Sequence, residues 1–497
     1  MQQNSLILKL INFFMKKIYQ FFIPALFILG INVFTASCKK TITAPLALNT
    51  LPVAQGSQIT LQVDAQHAGN AVAPDYLGLS FEMSAITNLN YFNTGNASFV
   101  QLIKNLGTGV FRIGGNSVDK TFWTGRVRTT SMPLDSISTT DIDRFKDFIN
   151  AIQWKVIFGV NCGGYFNPAV AANEVAYVNN VLPTMMHSFE VGNEADLYPR
   201  NGLRTISYTV NDFNTEWNQY YTAIKTAVPS VIFSGGAFAN NRQWLSTFLA
   251  QQSSKISLAT IHFYQTGPGT DPSININSLL SLQANTAINV FGNAVNVIAN
   301  GSNLPYRVAE CNSIYGGGAA NVSNSFAASL WAIDYMFKLA YTGCKGINFH
   351  GGGNGPYTPI GYANGTFFAK PEYYSMLFFK DAAKGNLLPC NIQTTGLNIT
   401  AYASRAPDGT TYVSILNKET QTAVAVNLTT GNNVKTVTLA SLTAPDLTAT
   451  TGLVFAGREL QSNGQLTTTV LTPYAVNAAQ FNVNVPAGSA VLVTIQP

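Results

Sequence analysis

The sequence predicts a (β/α)8 TIM barrel followed by an antiparallel β-sandwich, an α/β architecture with a second, all-β domain. Three observations carry this expectation. Between residues 73 and 385, strand-like apolar runs alternate with helical stretches eight times, the pattern and size of a (β/α)8 barrel. From residue 386 onward, short runs alternate apolar and polar residues at period two, as half-buried antiparallel strands do. The third observation is chemical: Phe189-Glu190-Val191-Gly192-Asn193-Glu194 is an apolar run that ends in a carboxylate. Burying a carboxylate is costly unless something compensates, and barrels keep their reactive groups at the C-terminal tips of their strands.

The elements follow in chain order. Lys16-Lys17 precede an apolar run, Tyr19 to Phe34, that ends in Thr35-Ala36-Ser37-Cys38. This reads as a signal peptide over residues 1–37. The small residues before Cys38 resemble a bacterial lipobox, so Cys38 is expected to be the lipidated first residue of the mature protein, anchored in a bacterial cell envelope. Thr35 stands where Leu is usual, and Met15 is an alternative start. A plain transmembrane anchor stays open, although the run is short for a span of ~20 residues. Residues 38–50 read as a tether. Within residues 51–72, Ser57 to Asp64 alternates at period two and is expected to join the C-terminal β domain.

Barrel strands are expected at residues 76–82, 109–114, 155–160, 188–193, 231–235, 257–264, 306–311 and 346–350. Helices fall between them, among them 140–153, 208–227 and 323–340. A doubly wound open sheet is the competing architecture. It normally has fewer strands, and the Gly114-Gly115 and Gly316–Gly318 segments lack the spacing of dinucleotide and P-loop motifs. The sandwich, residues 386–497, is expected to hold strands at 398–402, 411–416, 423–428, 435–439, 481–485 and 490–495, parted by turns such as Asp408-Gly409 and Gly431-Asn432.

Composition bounds the function. Charged residues make up only 10% of the 497, which suits a secreted or periplasmic protein facing polar, uncharged ligands. Removing the leader with its Lys9, Lys16 and Lys17 takes the net charge from +5 to +2. No basic stripe remains to argue for nucleic acid. The cysteines beyond the leader (Cys162, Cys311, Cys344, Cys390) form no CxxC, and the four histidines form no HExxH. Neither a metal nor another cofactor is called for.

A second carboxylate stands in Arg307-Val308-Ala309-Glu310-Cys311-Asn312. Two strand-tip glutamates with opposite chemical tasks are what glycoside hydrolysis requires. Asn193-Glu194 on strand four and Glu310 on strand seven resemble the acid/base and nucleophile of clan-A retaining glycoside hydrolases. The sequence resembles more closely the β-glucuronidase/heparanase family, glycoside hydrolase family 79, in its bacterial members. The likeness rests on Leu79-Ser80-Phe81-Glu82, Arg112-Ile113-Gly114-Gly115-Asn116-Ser117-Val118-Asp119, His262-Phe263-Tyr264 and Phe349-His350-Gly351-Gly352. It extends over residues 57–495, and Cys311 departs from the Thr often found there.

The resemblance implies that Glu310 is the nucleophile, its pKa lowered by Arg112, and that Glu194 is the acid/base. Asn193 would bind the sugar 2-hydroxyl and Tyr264 the second oxygen of Glu310. The loop Ser313-Ile314-Tyr315-Gly316-Gly317 would hold a substrate carboxylate through backbone N–H groups and Tyr315. Glu82 would bind distal hydroxyls, and Tyr357 would close the pocket. The reading is an exo-β-glucuronidase acting on terminal glucuronate or 4-O-methylglucuronate, with carbohydrate and membrane as partners. Two alternatives stay open: an endo-acting, heparanase-like hydrolase of acidic polysaccharide, and a non-catalytic glycan-binding lipoprotein.

Overall fold

The computed structural model describes residues 49–52 and 56–497. The leader and Cys38 lie outside the described residues. Eight parallel strands close a barrel in chain order: Gly78–Glu82, Val110–Gly114, Lys155–Val160, Met186–Val191, Phe233–Ala239, Leu258–Thr266, Tyr306–Ile314 and Ile347–Gly351. The eighth pairs with the first, Phe349 facing Leu79. These strands are covered on both faces, so they read as near-continuous apolar runs rather than alternating ones. Every residue of Val110–Gly114 and Tyr306–Ile314 is buried.

Local signals set the helices between them. Helix Thr139–Ile152 starts at a capping box in which Ser138 and Asp141 satisfy each other's backbone N–H groups. Thr209 and Asp212 do the same for Val210–Ala227. Helix Phe326–Tyr341 is buried almost all round, because the barrel covers one side and the β domain the other. On its outer side Asp334 accepts hydrogen bonds from Tyr402 Oη (2.7 Å) and Asn285 Nδ2 (2.8 Å) and pairs with the fully buried Lys418.

The β domain is one branched ten-stranded sheet, seven strands in a row and three paired off that row, folded over its own apolar core, which includes Ile59, Leu61, Val413, Val426, Val483 and Val493. It is mostly antiparallel. Strand Ser57–Val63 joins it, antiparallel to Cys390–Gln393 and parallel to residues 424–429. The long strand Val424–Thr443 corrects the expectation of two strands parted by a turn at Gly431-Asn432. Its backbone runs on through a register shift between Thr429 and Val434, with Gly431 supplying a φ of 75°. A bulge of this kind bends a strand without ending it. The first half therefore pairs with Ser57–Val63 and the second with Ser489–Ile495.

Candidate active site

Alternation along the strands decides which side chains enter the barrel. On strand six, Phe263 turns outward and stacks on Phe291 at 4.0 Å, which leaves His262 and Tyr264 for the inside. A cleft of about 580 Å³ lined by Phe263, Gln265, Val290 and Phe291 lies on that outer side, away from the carboxylates.

Glu310 sits in mid-strand seven and accepts hydrogen bonds from Tyr264 Oη at 2.8 Å and Arg112 Nη1 at 2.9 Å. Burial alone would raise its pKa. The charges of His350, His262 and Arg112, with the Tyr264 hydrogen bond, outweigh burial and hold the carboxyl well below its usual range. Arg112 itself is 1% exposed. It also donates to Glu190 Oε2 at 2.7 Å, Asn193 Oδ1 at 2.9 Å and Ser80 Oγ at 3.2 Å. Two carboxylates thus compensate one buried guanidinium.

Glu194 lies just past strand four in a left-handed conformation, φ 50° and ψ 49°, which a non-glycine residue adopts only where its surroundings impose it. Its N–H donates to Ala237 O at 2.8 Å, and its Oε1 lies 2.9 Å from His262 Nδ1. One oxygen of Glu194, one of Glu310 and a ring nitrogen of His262 all lie within 4.8 Å of one another. That spacing would suit a metal ion, but Arg112 already supplies the counter-charge to Glu310.

Asn193 gives its carbonyl oxygen to Arg112, and its buried Nδ2 has no partner among the described residues. Glu82 accepts the Ser117 N–H at 2.7 Å and lies 3.5 Å from His350 Nε2. Burial pushes its pKa up, but His350 pulls it down further, and the net shift is downward. Tyr357 lies with its ring 6.1 Å from Tyr264 and 6.2 Å from His350. The Tyr315 ring, 43% exposed, lies against Gly267 and joins none of these contacts. Its loop does approach Tyr357, because a Cβ on Gly318 would meet the Tyr357 nitrogen at 2.9 Å.

Sequence reasoning gave no role to Glu190, His262, His350 or Asp119. Glu190 was signalled by strand alternation, which turns it inward between Phe189 and Val191. His262 stands two residues before Tyr264 and shares its face. Neither signal names the partner across the barrel.

Comparison with known proteins bears on the family and the fold. Residues 72–337 match the glycosyl hydrolase family 79 N-terminal domain. A β-glucuronidase of Aspergillus niger is 27% identical over 354 residues, 62% of this chain and 63% of that protein. The chain therefore matches somewhat under two thirds of that relative's length. A Neurospora crassa β-glucuronidase is 23% identical over 67% of this chain and 68% of its own, and the Arabidopsis thaliana heparanase-like protein 3 is 23% identical over 72% and 71%. Among solved structures, a 4-O-α-L-rhamnosyl-β-D-glucuronidase from Fusarium oxysporum superposes with a TM-score of 0.72 at 20% identity, over 88% of this chain and 100% of that one. A family 51 arabinofuranosidase from Xanthomonas axonopodis gives 0.68 at 17%, again over 88% and 100%. At such identities these two structures speak for the fold alone. The expected kinship with bacterial members is not borne out, since the similar proteins named within the family's range are fungal and plant. By its family match over more than half its length, the chain belongs to glycosyl hydrolase family 79.

Proposed function

We propose that the protein is a retaining exo-β-glucuronidase, which releases terminal β-linked glucuronate or 4-O-methylglucuronate from a glycan or glycoside. The observation that carries the mechanism is the Glu194–Glu310 spacing, with oxygens within 4.8 Å of each other. Retaining enzymes hold their carboxyl groups ~5–5.5 Å apart, whereas inverting enzymes leave ~6.5–9.5 Å for a water. Glu310 attacks the anomeric carbon while Glu194 gives its proton to the glycosidic oxygen. The C1–O bond breaks as the C1–Oε bond forms. Water then enters, Glu194 takes one of its protons, and the sugar leaves with its configuration retained. Arg112 and Tyr264 keep Glu310 ionised and aimed. The free Nδ2 of Asn193 is the donor for the 2-hydroxyl.

The substrate class rests on the loop after strand seven. Gly316, Gly317 and Gly318 run at φ 79°, 94° and 86° and carry no side chains of their own over their N–H groups, and backbone N–H groups in turns bind anions without a cation. The names of the Aspergillus and Neurospora relatives support the same class. The Arabidopsis heparanase-like relatives favour a second reading, an endo-acting hydrolase of acidic polysaccharide. The test is kcat/KM on an aryl β-glucuronide and on the matching aryl β-glucoside. The glucuronide should be preferred by roughly 30- to 1000-fold, the worth of a hydrogen-bonded carboxylate over a hydroxymethyl group. An equal or reversed preference would remove the glucuronidase reading. Cleavage of internal linkages in an acidic polymer, with no aryl glucuronide turnover, would favour the second.

A further inference from the structure

Asp119, in the single helical turn Val118–Lys120 after strand two, is 1% exposed and forms no ion pair among the described residues. Four neutral donors surround it instead. Its Oδ1 accepts the N–H groups of Cys162 (2.9 Å) and Gly163 (2.8 Å) at the tip of strand three. Its Oδ2 accepts the Asn193 N–H at 3.0 Å and the Tyr198 hydroxyl at 2.8 Å. Asn193 and Tyr198 lie on either side of the turn that carries Glu194. One carboxylate oxygen therefore grips both ends of that turn, and the other fixes it to the neighbouring strand.

The turn needs this grip. Gly192 stands at φ 76° and Glu194 at φ 50°, two left-handed residues separated only by Asn193. A non-glycine residue in that region costs on the order of 1–3 kcal/mol and stays there only under external constraint. The space is also closed, because a Cβ on Gly192 would meet the Tyr198 hydroxyl at 2.6 Å. Tyr198 is held in turn: Arg204 lies 5.5 Å from its ring and bonds Glu216 at 2.9 and 3.0 Å and the carbonyls of Cys162 and Gly163 at 2.8 Å. The chain of support runs from Arg204 through Tyr198 to Asp119 and ends one residue before Glu194.

We propose that Asp119 is a positioning residue that sets the aim of the Glu194 carboxyl by clamping its turn. The proposal rests on the acid/base reading of Glu194 and touches no substrate atom itself. Its signature is a dependence on the leaving group. A misaimed acid slows departure of a poor leaving group and hardly affects one that departs without proton help. The experiment measures kcat and KM for the parent, Asp119→Asn and Tyr198→Phe on a series of aryl β-glucuronides, from unsubstituted phenyl to dinitrophenyl. Asp119→Asn places an amide donor where two donors already point. It should cut kcat on the phenyl glycoside about 100-fold and on the dinitrophenyl glycoside less than about 10-fold, within the range of lost acid catalysis. Tyr198→Phe removes one donor, keeps the carboxylate and should show the same slope in weaker form. It also serves as the readout if Asp119→Asn does not fold. A uniform loss across the series in the folded variants, or no loss, overturns the proposal. A parent inactive on every glucuronide refutes the glucuronidase reading instead, and the same series on whichever aryl glycoside it does cleave then decides the role of Asp119.

Discussion

Arg112 makes the chemistry of the two glutamates separable. Of the two it contacts Glu310 and not Glu194, and so stabilises charge on Glu310 alone of that pair. Glu310→Gln should abolish turnover, a loss of at least about 10⁴-fold in kcat, and leave substrate binding in place. Glu194→Ala should slow phenyl glycosides ~100-fold or more yet spare dinitrophenyl ones, since acid help is worth ~10²–10⁴-fold where the leaving group needs it. Steady-state kinetics on both substrates check this, and equal losses for both variants on both substrates would reverse the assignment. Glu194 was legible because a carboxylate closing an apolar run has few structural uses, and Glu310 because it follows the apolar Val308-Ala309, although strand seven carries on past it to Ile314. Arg112 was legible from its place on strand two. The His262–Glu194 contact was not, because it depends on the register of strands four, five and six, and the pairing of strands five and six slips between Thr260 and Ile261. No local pattern encodes such a slip.

Among the elements, barrel strands were easiest to read, because burial on both faces leaves an uninterrupted apolar run. The three-residue strand Asn386–Leu388 and four-residue Cys390–Gln393 were too short for any periodicity to declare itself. Helix Pro168–Val181 carries a further oddity: Glu174 is 5% exposed, and burial alone raises its carboxyl pKa to about 8. The folded state therefore keeps the proton up to about pH 8, whereas the unfolded chain loses it near the ordinary carboxylate value of 4.5. Stability should fall as pH rises between those values and level off above the upper one. Glu174→Gln removes that titration. It should stabilise the protein at pH 8–9 by up to about 5 kcal/mol and change little at pH 4. Thermal melts at the two pH values give the comparison, and an equal shift at both would show that Glu174 does not titrate in this way.

Over the whole molecule, the barrel and the β domain are joined through buried polar contacts as well as apolar packing. Asp334 on helix Phe326–Tyr341 meets Lys418, Thr400 and Tyr402 of the β domain. Lys418→Met should destabilise the protein by about 3–5 kcal/mol by leaving Asp334 buried without its counter-charge, while Lys418→Met with Asp334→Leu should cost less than the single change. Urea denaturation of the three proteins tests this, and a double variant weaker than the single one would mean that the pair itself contributes net stability. The two-domain plan was readable from the change of period near residue 386. The continuity of Val424–Thr443 was hidden because a Gly-Asn pair signals a hairpin turn as readily as a bulge. Strand Ser57–Val63 has a consequence for biosynthesis. It is made before any of the barrel, yet its partner at residues 424–429 emerges roughly 360 residues later, about 20–70 s at ordinary rates of translation. Until Cys390–Gln393 emerges, the ribosome carries a chain whose barrel strands can close while this strand keeps both edges unpaired, and one edge then stays open until residues 424–429 arrive. A transcript interrupted after residue 385 would thus yield a barrel tagged with an open edge strand, a species prone to self-association rather than a smaller working enzyme.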